Sequence, residues 1–485
     1  MTIHSDWARL LHEECPEAFL SNIPKDVDYG VGIIDGHLQL MCLNSGLGSW
    51  DRFVQYLFVN PIQKLFAAGC PKVVLCFDSY DSVPAYKSMT QVKRATVHNI
   101  CNFGPDDRLP NFIPDDTMVF LMNRNFKLKV IDMVCKRLPH LIEIGSKQSL
   151  IVDYKRVVEY RMGQVTPVLL DEKEGLVPIG ESDVKFTRYV DLYGNALVHA
   201  IDGDYLMIAL LYYAMRGLRH KIFIFRQLSV LGGGGAQLQP PASGKPKPKA
   251  STDKKKKRED QPENQSTVTT KTTKTPKCWV DMQLIFYTIA QSMLGCTKRR
   301  LQRQPAEEEN NAKKAVHAAV MLMLCAGTDF SRPLPLLGPK RIWEWLPDVG
   351  ESLLNAAPQG RPVNIPLFAN NVVGILYSNL FSKHVSVHAA EGHSAGLGPS
   401  TQIIAFLHSI LSQIRKARGL SPSTKGRLPS EERVLVTLKN IAWVMEYWTV
   451  INGAVATPLD GSNGFVRHKA GGITFEDLAL LDTSA

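Results

Sequence analysis

The sequence lacks paired cysteines, long apolar runs and a hydrophobic leader. Its nine cysteines include no CxxC pair, which excludes an evident disulfide framework or zinc site and favours reduced thiols inside a cell. No stretch of eighteen apolar residues is present, so neither a membrane span nor a membrane partner is expected. The first residues carry acids within an apolar pattern and do not resemble a signal peptide. A cytoplasmic or nuclear protein is therefore expected.

The net charge of +10 is concentrated in one segment. Residues 229–277 hold eleven Lys and Arg but four Asp and Glu, and they are rich in Gly, Pro, Ser and Thr. This composition predicts a disordered basic linker. Its KKKKR run, residues 254–258, indicates a nuclear import signal or a DNA tether, with a solubilising linker as the alternative. Because little of the excess lies elsewhere, charge alone does not assign nucleic-acid binding to the remaining chain.

Apolar strands and helical patterns alternate before this linker. Strands are predicted at YGVGIIDG, KVVLCFDS, NALVHAIDGD and HKIFIFRQL, with helices between them. Such alternation favours an α/β fold with a parallel sheet covered on both faces. Helical patterns dominate after the linker, at 278–295, 311–326, 366–382, 401–418 and 431–452. The predicted organisation is a first core part, a linker, a second core part and a helical extension: 1–228, 229–277, 278–350 and 351–485.

Aspartates stand where three predicted strands end. They are Asp35, Asp78, and the pair Asp202 and Asp204. In an open parallel sheet the carboxyl ends of the strands meet at the ligand-binding edge. Clustered carboxylates repel one another, and a divalent cation such as Mg²⁺ or Mn²⁺ relieves that repulsion. For each aspartate alone a helix cap or turn is the simpler interpretation, whereas the three strand ends together favour a metal site.

Two further acidic segments are candidates for the same site. GESDVKF places Glu181 and Asp183 two residues apart, ahead of the strand that leads to Asp202. LCAGTDF places Asp329 after an apolar helical pattern. On spacing alone, these acids are equally compatible with surface positions or helix caps.

With these acids in order, the chain resembles the flap endonuclease family of structure-specific 5′ nucleases, which have a PIN-like fold. The resemblance covers roughly residues 1–230 and 278–350, and the gap of 21 residues from Glu181 to Asp202 agrees with the family's spacing. It implies two Mg²⁺ ions, or Mn²⁺, that support hydrolysis of branched or flapped DNA. The family's seven acids correspond to Asp35, Asp78, Glu181 and Asp183 around one ion and to Asp202, Asp204 and Asp329 around the other.

The resemblance also implies basic residues that contact phosphates. Lys87 and Arg94 are seven residues apart, as in the family, and would neutralise the reacting phosphate; plain surface cations are the alternative. With Asp202 they are the residues expected to carry catalysis. The stretch PLPLLGPKRIWEWL resembles the family's helix–two-turns–helix, in which Gly338, Lys340 and Arg341 would hold duplex DNA through its phosphates.

Several features depart from the family or lie outside its motifs. Thr2 stands where the family has glycine, and Met41 replaces an aromatic residue that stacks on a base. No clear sliding-clamp box is present, and a monomer is expected. The stretch RNFKLKVIDMVCKRL is interpreted either as a plain amphipathic core helix or as a contact for the single strand through Lys127, Lys129, Lys136 and Arg137. The patterns in 360–485 are interpreted as packing helices, and His393 has no evident ligand partner.

Three functions therefore remain open at this point. The first is a metal-dependent 5′ endonuclease or exonuclease acting on flapped or branched DNA. The second is a related 5′ nuclease acting on RNA. The third is a catalytically silent nucleic-acid-binding scaffold, which would have no need for clustered buried acids.

Overall fold

The fold is described from a computed structural model of the chain. The residues that the structure describes are 4–43, 45–78, 101–162, 167–170, 180–227, 277–295, 306–328, 333–334, 337–356, 364, 368, 431–449, 465–467 and 473–475. The predictions for Thr2, Lys87, Arg94, Asp329 and His393 lie outside these residues. So do those for residues 229–276 of the linker, for the helix at 401–418 and for nearly all of the helix at 366–382.

Nine strands of the described chain form one mixed sheet, and two more form a separate hairpin-like pair. The nine are β1 Phe19–Leu20, β2 Val31–Asp35, β3 Lys72–Cys76, β4 Ser149–Asp153, β5 Val157–Arg161, β6 Val168–Leu169, β7 Ala196–His199, β8 Ile222–Gln227 and β9 Lys277–Asp281. Their order is β1-β9-β8-β7-β2-β3-β4-β5-β6. The pair consists of β10, Phe465–Arg467, and β11, Ile473–Phe475.

The expected parallel sheet is present only in the centre. Strands β8, β7, β2, β3 and β4 run parallel to one another, whereas β9 and β1 on one side and β5 and β6 on the other pair with their neighbours in antiparallel fashion. The chain is therefore α/β with a mixed sheet, and the expectation of an all-parallel sheet was wrong at both edges. The antiparallel edge strands are short or partly polar, so their sequences carry a weaker pattern than the buried central strands.

Helices cover both faces of the sheet. Those on the described chain are α1 His4–Glu14, α2 Gly36–Met41, α3 Trp50–Val54, α4 Asn60–Ala67, α5 Thr117–Met122, α6 Arg124–Leu141, α7 Ser182–Tyr193, α8 Asp204–Arg216, α9 Met282–Leu294, α10 Ala306–Leu324, α11 Pro339–Ala356 and α12 Glu431–Thr449. A π-helical segment, Gln55–Val59, joins α3 to α4 and makes the pair one continuous helical stretch.

Alternate residues of the central strands face two separate hydrophobic cores. In β2, Ile33 belongs to the core that contains α8, α9, α10 and α12, whereas Ile34 belongs to the core that contains α3, α4 and α6. All five residues of β2 are buried, as expected for a strand covered on both sides. The two cores fix the sheet between helical layers, so its carboxyl edge is held at a defined place.

Most predicted elements of the N-terminal part are confirmed, but one prediction after the linker was wrong. The helix predicted at 278–295 begins at Met282, because residues 277–281 form strand β9 between β8 and β1. The Asp281 side chain accepts hydrogen bonds from the backbone N–H groups of Gln283 and Leu284, 3.0 and 3.3 Å, and so caps α9. A short apolar run such as CWV does not distinguish a strand from a helix by periodicity.

Helices α11 and α12 pack parts of the predicted extension, residues 351–485, into the core that contains α8. The boundary predicted at 350 falls inside α11, which continues to Ala356. In α12, Leu438, Val444 and Trp448 are buried in the core that contains α8. This part of the extension is therefore a packing helix, as its apolar periodicity predicts.

Helix α6 buries one face in the core that contains α3 and α4. Phe126, Val130, Ile131, Val134 and Leu138 form that face. At the edge of that face the Arg137 guanidinium pairs with exposed Asp51 of α3. The arrangement is that of an amphipathic core helix, and contact of its cations with a nucleic-acid strand stays a prediction. Within the described ranges, no helix combines the length and apolar character needed to cross a membrane.

Close packing where α7 ends makes glycine necessary just before β2. A Cβ added at Gly30 would lie 1.6 Å from the Tyr193 carbonyl oxygen, whereas one added at Gly104 would have its nearest neighbour, Asp107 Oδ2, at 3.6 Å. We expect Gly30→Ala to lower the free energy of unfolding by about 3 kcal/mol or more, because backbone must move. Gly104→Ala, measured by the same urea denaturation, should change it little; equal losses would contradict this packing.

Candidate functional site

The sheet order brings three acidic strand ends to one edge. Strand β2 ends at Asp35 and pairs in parallel with both β3 and β7. Asp78 follows the end of β3 by two residues, and Asp202 follows the end of β7 by three. Because the carboxyl ends of parallel neighbours lie at the same edge, these acids are near one another, as their sequence positions predict.

Ser182 connects the acids of α7 to two of these strand ends. Its backbone N–H donates to Asp78 Oδ1 at 2.9 Å, and its hydroxyl donates to Asp35 Oδ1 at 3.0 Å. Glu181 and Asp183 flank Ser182 in the chain. The four acids from three separate segments are therefore assembled around one serine, which the sequence reasoning did not identify.

Two of the acids also act at helix N-termini. Asp35 caps α2, because its Oδ1 accepts from the Leu38 backbone N–H at 3.1 Å. Asp78 accepts from the first backbone N–H of α7. Negative charge is favoured at helix N-termini. The simpler interpretation, a helix cap, thus holds for Asp35 while the same side chain is also part of the acidic cluster.

The cluster is almost completely buried. Exposed fractions are 7% for Asp35 and Asp78, 4% for Asp183 and zero for Glu181 and Asp204. Burial, and after it the nearby carboxylates of Asp78 and Asp183, raise the pKa of Asp35 to about 7, against the hydrogen bonds from Leu38 and Ser182 that lower it. With this pKa the Asp35 carboxyl group gains or loses its proton near neutral pH, because burial and the neighbouring acids both disfavour its charged form.

Asp202 and Asp204 lie beside this cluster and near a buried cation. Asp204 begins α8, and its backbone N–H donates to Asp202 Oδ1 at 3.4 Å. Arg226, on β8, donates a hydrogen bond to the carbonyl oxygen that precedes Asp202. Burial lowers the pKa of Arg226, whereas the charges of Asp202 and Asp204 act to raise it. Tyr205 follows Asp204 in the chain and also lies near the acids around Ser182. Burial raises the pKa of its hydroxyl most, and the charges of Asp35 and Asp183 raise it further.

A buried ion-pair network that sequence reasoning missed attaches α7 to the sheet. The Lys185 ammonium donates to Asp153 Oδ1 at 2.9 Å, and the Arg188 guanidinium and the Tyr189 hydroxyl donate to Asp153 Oδ2. Lys185 also donates to the Phe77 carbonyl oxygen at 2.7 Å. All of these side chains are 2% exposed or less. The segment SLIVD, which forms β4, ends in an aspartate as β2 does, and that pattern could have identified Asp153.

Two histidines complete this edge of the sheet. The Asp78 backbone N–H donates to His37 Nδ1 at 3.2 Å, which requires that nitrogen to be unprotonated. His199, at the end of β7, has its pKa lowered to about 4 by burial and is therefore neutral. Its ring stacks on Phe225 with the centroids 4.6 Å apart, and its Nδ1 lies 3.1 Å from Gln39 Nε2. His199 thus has a packing role.

Carboxylate groups suit Mg²⁺ or Mn²⁺, but Ser182 donates hydrogen bonds to one oxygen of Asp35 and to one oxygen of Asp78. Carboxylate oxygens are the preferred ligands of both ions. Nevertheless, no three Asp, Glu, His or Cys side chains of the described residues are arranged as a metal-binding group. An ion on Asp35 would compete with the hydroxyl of Ser182 for the same oxygen. The structure therefore gathers suitable ligands without assigning an ion to them.

The predicted phosphate-binding turn forms the start of a helix. Gly338 directly precedes α11, which begins at Pro339, and a Cβ at Gly338 would meet nothing within 4 Å. Lys340 is exposed and Arg341 is half-buried in the first turn of α11. Cations at these positions are compatible with a phosphate at the helix N-terminus, and this role stays a prediction.

Comparisons with known proteins leave the family undetermined. No protein-family model matches the chain, and no curated protein matches its sequence. The resemblance to flap endonucleases therefore rests on the acids, their order and their spacing.

Removing the central acid of the buried network should destabilise the fold strongly. In Asp153→Asn, the charges of Lys185 and Arg188 stay buried without their counter-ion, and we expect a loss of about 3–5 kcal/mol in unfolding free energy. The matched control is Asp132→Asn. It removes an exposed carboxylate 2.9 Å from Lys155 Nζ and should cost about 1 kcal/mol or less. Similar losses in urea denaturation of the two variants would contradict the assigned role of the network.

The raised pKa of Asp35 predicts a pH dependence of stability in the metal-free protein. Its unfolded pKa is about 3.9, so between about pH 4 and 7 the folded state binds more protons, and stability falls as pH rises. With a chelator present, Asp35→Asn should reduce that fall by on the order of a few kcal/mol, because asparagine still caps α2 but does not ionise. An unchanged pH profile of the unfolding free energy would exclude Asp35 as its source.

Proposed function

We propose that this chain is a divalent-metal-dependent 5′ nuclease of the flap endonuclease type, with a PIN-like fold, acting on flapped or branched DNA. The observation that carries the proposal is the assembly of Asp35, Asp78, Glu181 and Asp183 around Ser182. The acids come from three distant segments, and their order along the chain is that of the nuclease family. The central parallel strands between two helical layers are compatible with this assignment.

The burial of the acids supports a functional role, because burying them together lowers the stability of the fold. Gathering carboxylates away from water destabilises the folded protein unless they are neutralised. Hard divalent cations neutralise such a group directly. In the proposal, Asp35, Asp78, Glu181 and Asp183 hold one ion, Mg²⁺ or Mn²⁺, and Asp202, Asp204 and Asp329 hold a second. When bound, the ions would activate water for attack on the phosphate and stabilise the departing 3′ oxygen.

The protein's own groups would position the substrate and balance its charge. The buried network of Asp153 keeps α7, and with it Glu181 and Asp183, against the sheet. Lys87 and Arg94 would lie against the reacting phosphate and stabilise its charge.

Farther from the reacting phosphate, the duplex would be held through its backbone. Gly338, Lys340 and Arg341 would contact its phosphates without reading bases. The Lys254–Arg258 run supports action in the nucleus.

A cleavage assay on a labelled 5′-flap DNA with Mg²⁺ tests the proposal. We expect wild-type protein to release the flap, and Asp183→Asn and Asp202→Ala to reduce the rate by about 10³-fold, because loss of metal-based stabilisation costs several kcal/mol. Asp132→Asn, which changes an exposed acid of α6, should cleave at the wild-type rate. Circular dichroism of each variant would distinguish loss of chemistry from loss of folding.

Two other outcomes would replace this proposal. Cleavage of an RNA flap together with no cleavage of its 2′-deoxy counterpart would assign the site to RNA. Binding of the flap without any product in Mg²⁺ or Mn²⁺ would contradict nuclease activity and favour a nucleic-acid-binding scaffold. A rate that is unchanged in Asp183→Asn would exclude the acidic cluster as the site of any cleavage observed.

A further inference from the structure

An open groove lined by aromatic residues and prolines lies in the segment that precedes α6. Its volume is about 730 Å³, within the range of ligand pockets, and it lies between residues 103 and 120. Apolar side chains form most of its lining: Phe103, Pro110, Phe112, Ile113, Pro114 and Phe120. Phe112 is 74% exposed, an unusual state for a large aromatic side chain. The proposed nuclease chemistry uses none of these residues.

The groove is preformed by hydrogen bonds and ring packing. The Trp50 indole N–H donates to the Pro110 carbonyl oxygen at 2.7 Å. The Asn123 amide donates to the Phe103 carbonyl oxygen at 3.1 Å. The Phe103 and Phe120 rings pack on Phe126 with centroid distances of 5.2 and 5.0 Å. Phe103, Pro110 and Phe120 of the groove are thus held by contacts with Trp50, Asn123 and Phe126, whereas Phe112 is largely exposed.

The charge around the groove favours a basic occupant. Residues 104–116 carry four exposed aspartates, at 106, 107, 115 and 116, and a single cation, Arg108. Such a surface repels the phosphates of nucleic acid and attracts lysine side chains. Aromatic grooves with prolines in their walls accept extended proline-rich peptides, which are ordered at low entropic cost. The combined chemistry is that of a site for a proline- and lysine-rich peptide.

We propose that this groove binds residues 240–249 of the same chain, with the sequence PPASGKPKPK. This stretch contains four prolines and three lysines and no acid. Prolines would pack against Phe112 and its aromatic neighbours, while the lysines would face Asp107 and Asp115. The occupant lies within the linker and therefore belongs to the same molecule as the groove.

The length of chain between the sheet and this segment gives the segment a reach comparable with the size of the domain. Gln227 and Lys277 are paired in register, so the 49 residues between them leave and return at one point. Twelve residues separate Gln227 from Pro240, and they span about 40 Å when extended. The radius of gyration expected for a domain of this size is about 20 Å. Tethering gives the segment an effective concentration on the order of millimolar, so a modest intrinsic affinity suffices.

A peptide-binding experiment with the full chain tests the proposal. The linker variant has residues 240–249 replaced by Gly and Ser, and the probe is a fluorescein-labelled peptide with the sequence of residues 238–250. By fluorescence anisotropy, we expect the linker variant to bind the probe, and wild-type protein to bind it at least tenfold more weakly because its own segment competes. Adding Phe112→Ala to the linker variant should weaken probe binding by about tenfold or more.

Matched controls separate the groove from general charge attraction. Tyr56→Ala removes an aromatic residue that is 60% exposed outside the groove, and it should leave binding unchanged. A probe with alanine in place of every proline keeps all the lysines and should bind at least tenfold more weakly. Absence of probe binding to the linker variant, equal binding to wild type, or insensitivity to Phe112→Ala would each overturn the proposal. None of these measurements depends on nuclease activity.

Discussion

The acidic edge of the sheet depends on how α7 is attached to it. Asp153, at the end of β4, holds Lys185 and Arg188 of that helix inside the protein, where the three charged groups have at most 2% exposure. An ion pair at this depth is favourable only in good geometry, so the orientation of α7 is narrowly defined. Glu181 and Asp183 precede Lys185 by about one helical turn or less and precede Arg188 by about two turns or less. The contact of Lys185 and Arg188 with Asp153 therefore helps to set the direction of these two acids.

The same sequence feature, an aspartate after a parallel strand, is used in two ways at this edge. Asp153 is neutralised from within by two basic residues of α7. Asp35, two strands away, is buried beside other carboxylates, and burial, followed by the charges of Asp78 and Asp183, raises its pKa to about 7. Asp153 thus stabilises the fold through ion pairs. Asp35 is instead unfavourable in its charged form, and a bound cation would stabilise that form. Strand-end position alone does not separate these roles, because the difference lies in the neighbours.

Much of the central architecture could be predicted from the sequence, because β2, β3 and β7 are apolar runs too short to be helices. The convergence of Asp35, Asp78 and Asp202 followed from their parallel arrangement. Strand β9 could not be recognised, since CWV becomes a strand only by pairing with β8 and β1. The role of Ser182 could not be predicted either, because it depends on side chains more than a hundred residues away. Long-range contacts leave little trace in a local pattern.

The position of β9 in the sheet has a consequence for how the protein is made. Strand β8 is complete at Gln227, but its partner β9 follows 49 residues later, and Phe19 of β1 pairs with Val280. At translation rates of about 5–20 residues per second, the ribosome needs roughly 2–10 seconds to synthesise the intervening segment. During that interval β8 is an open sheet edge, which can pair with a neighbouring nascent chain. Proline and lysine are poor strand formers, so a segment of this composition would compete weakly for the position beside β8 that β9 later takes.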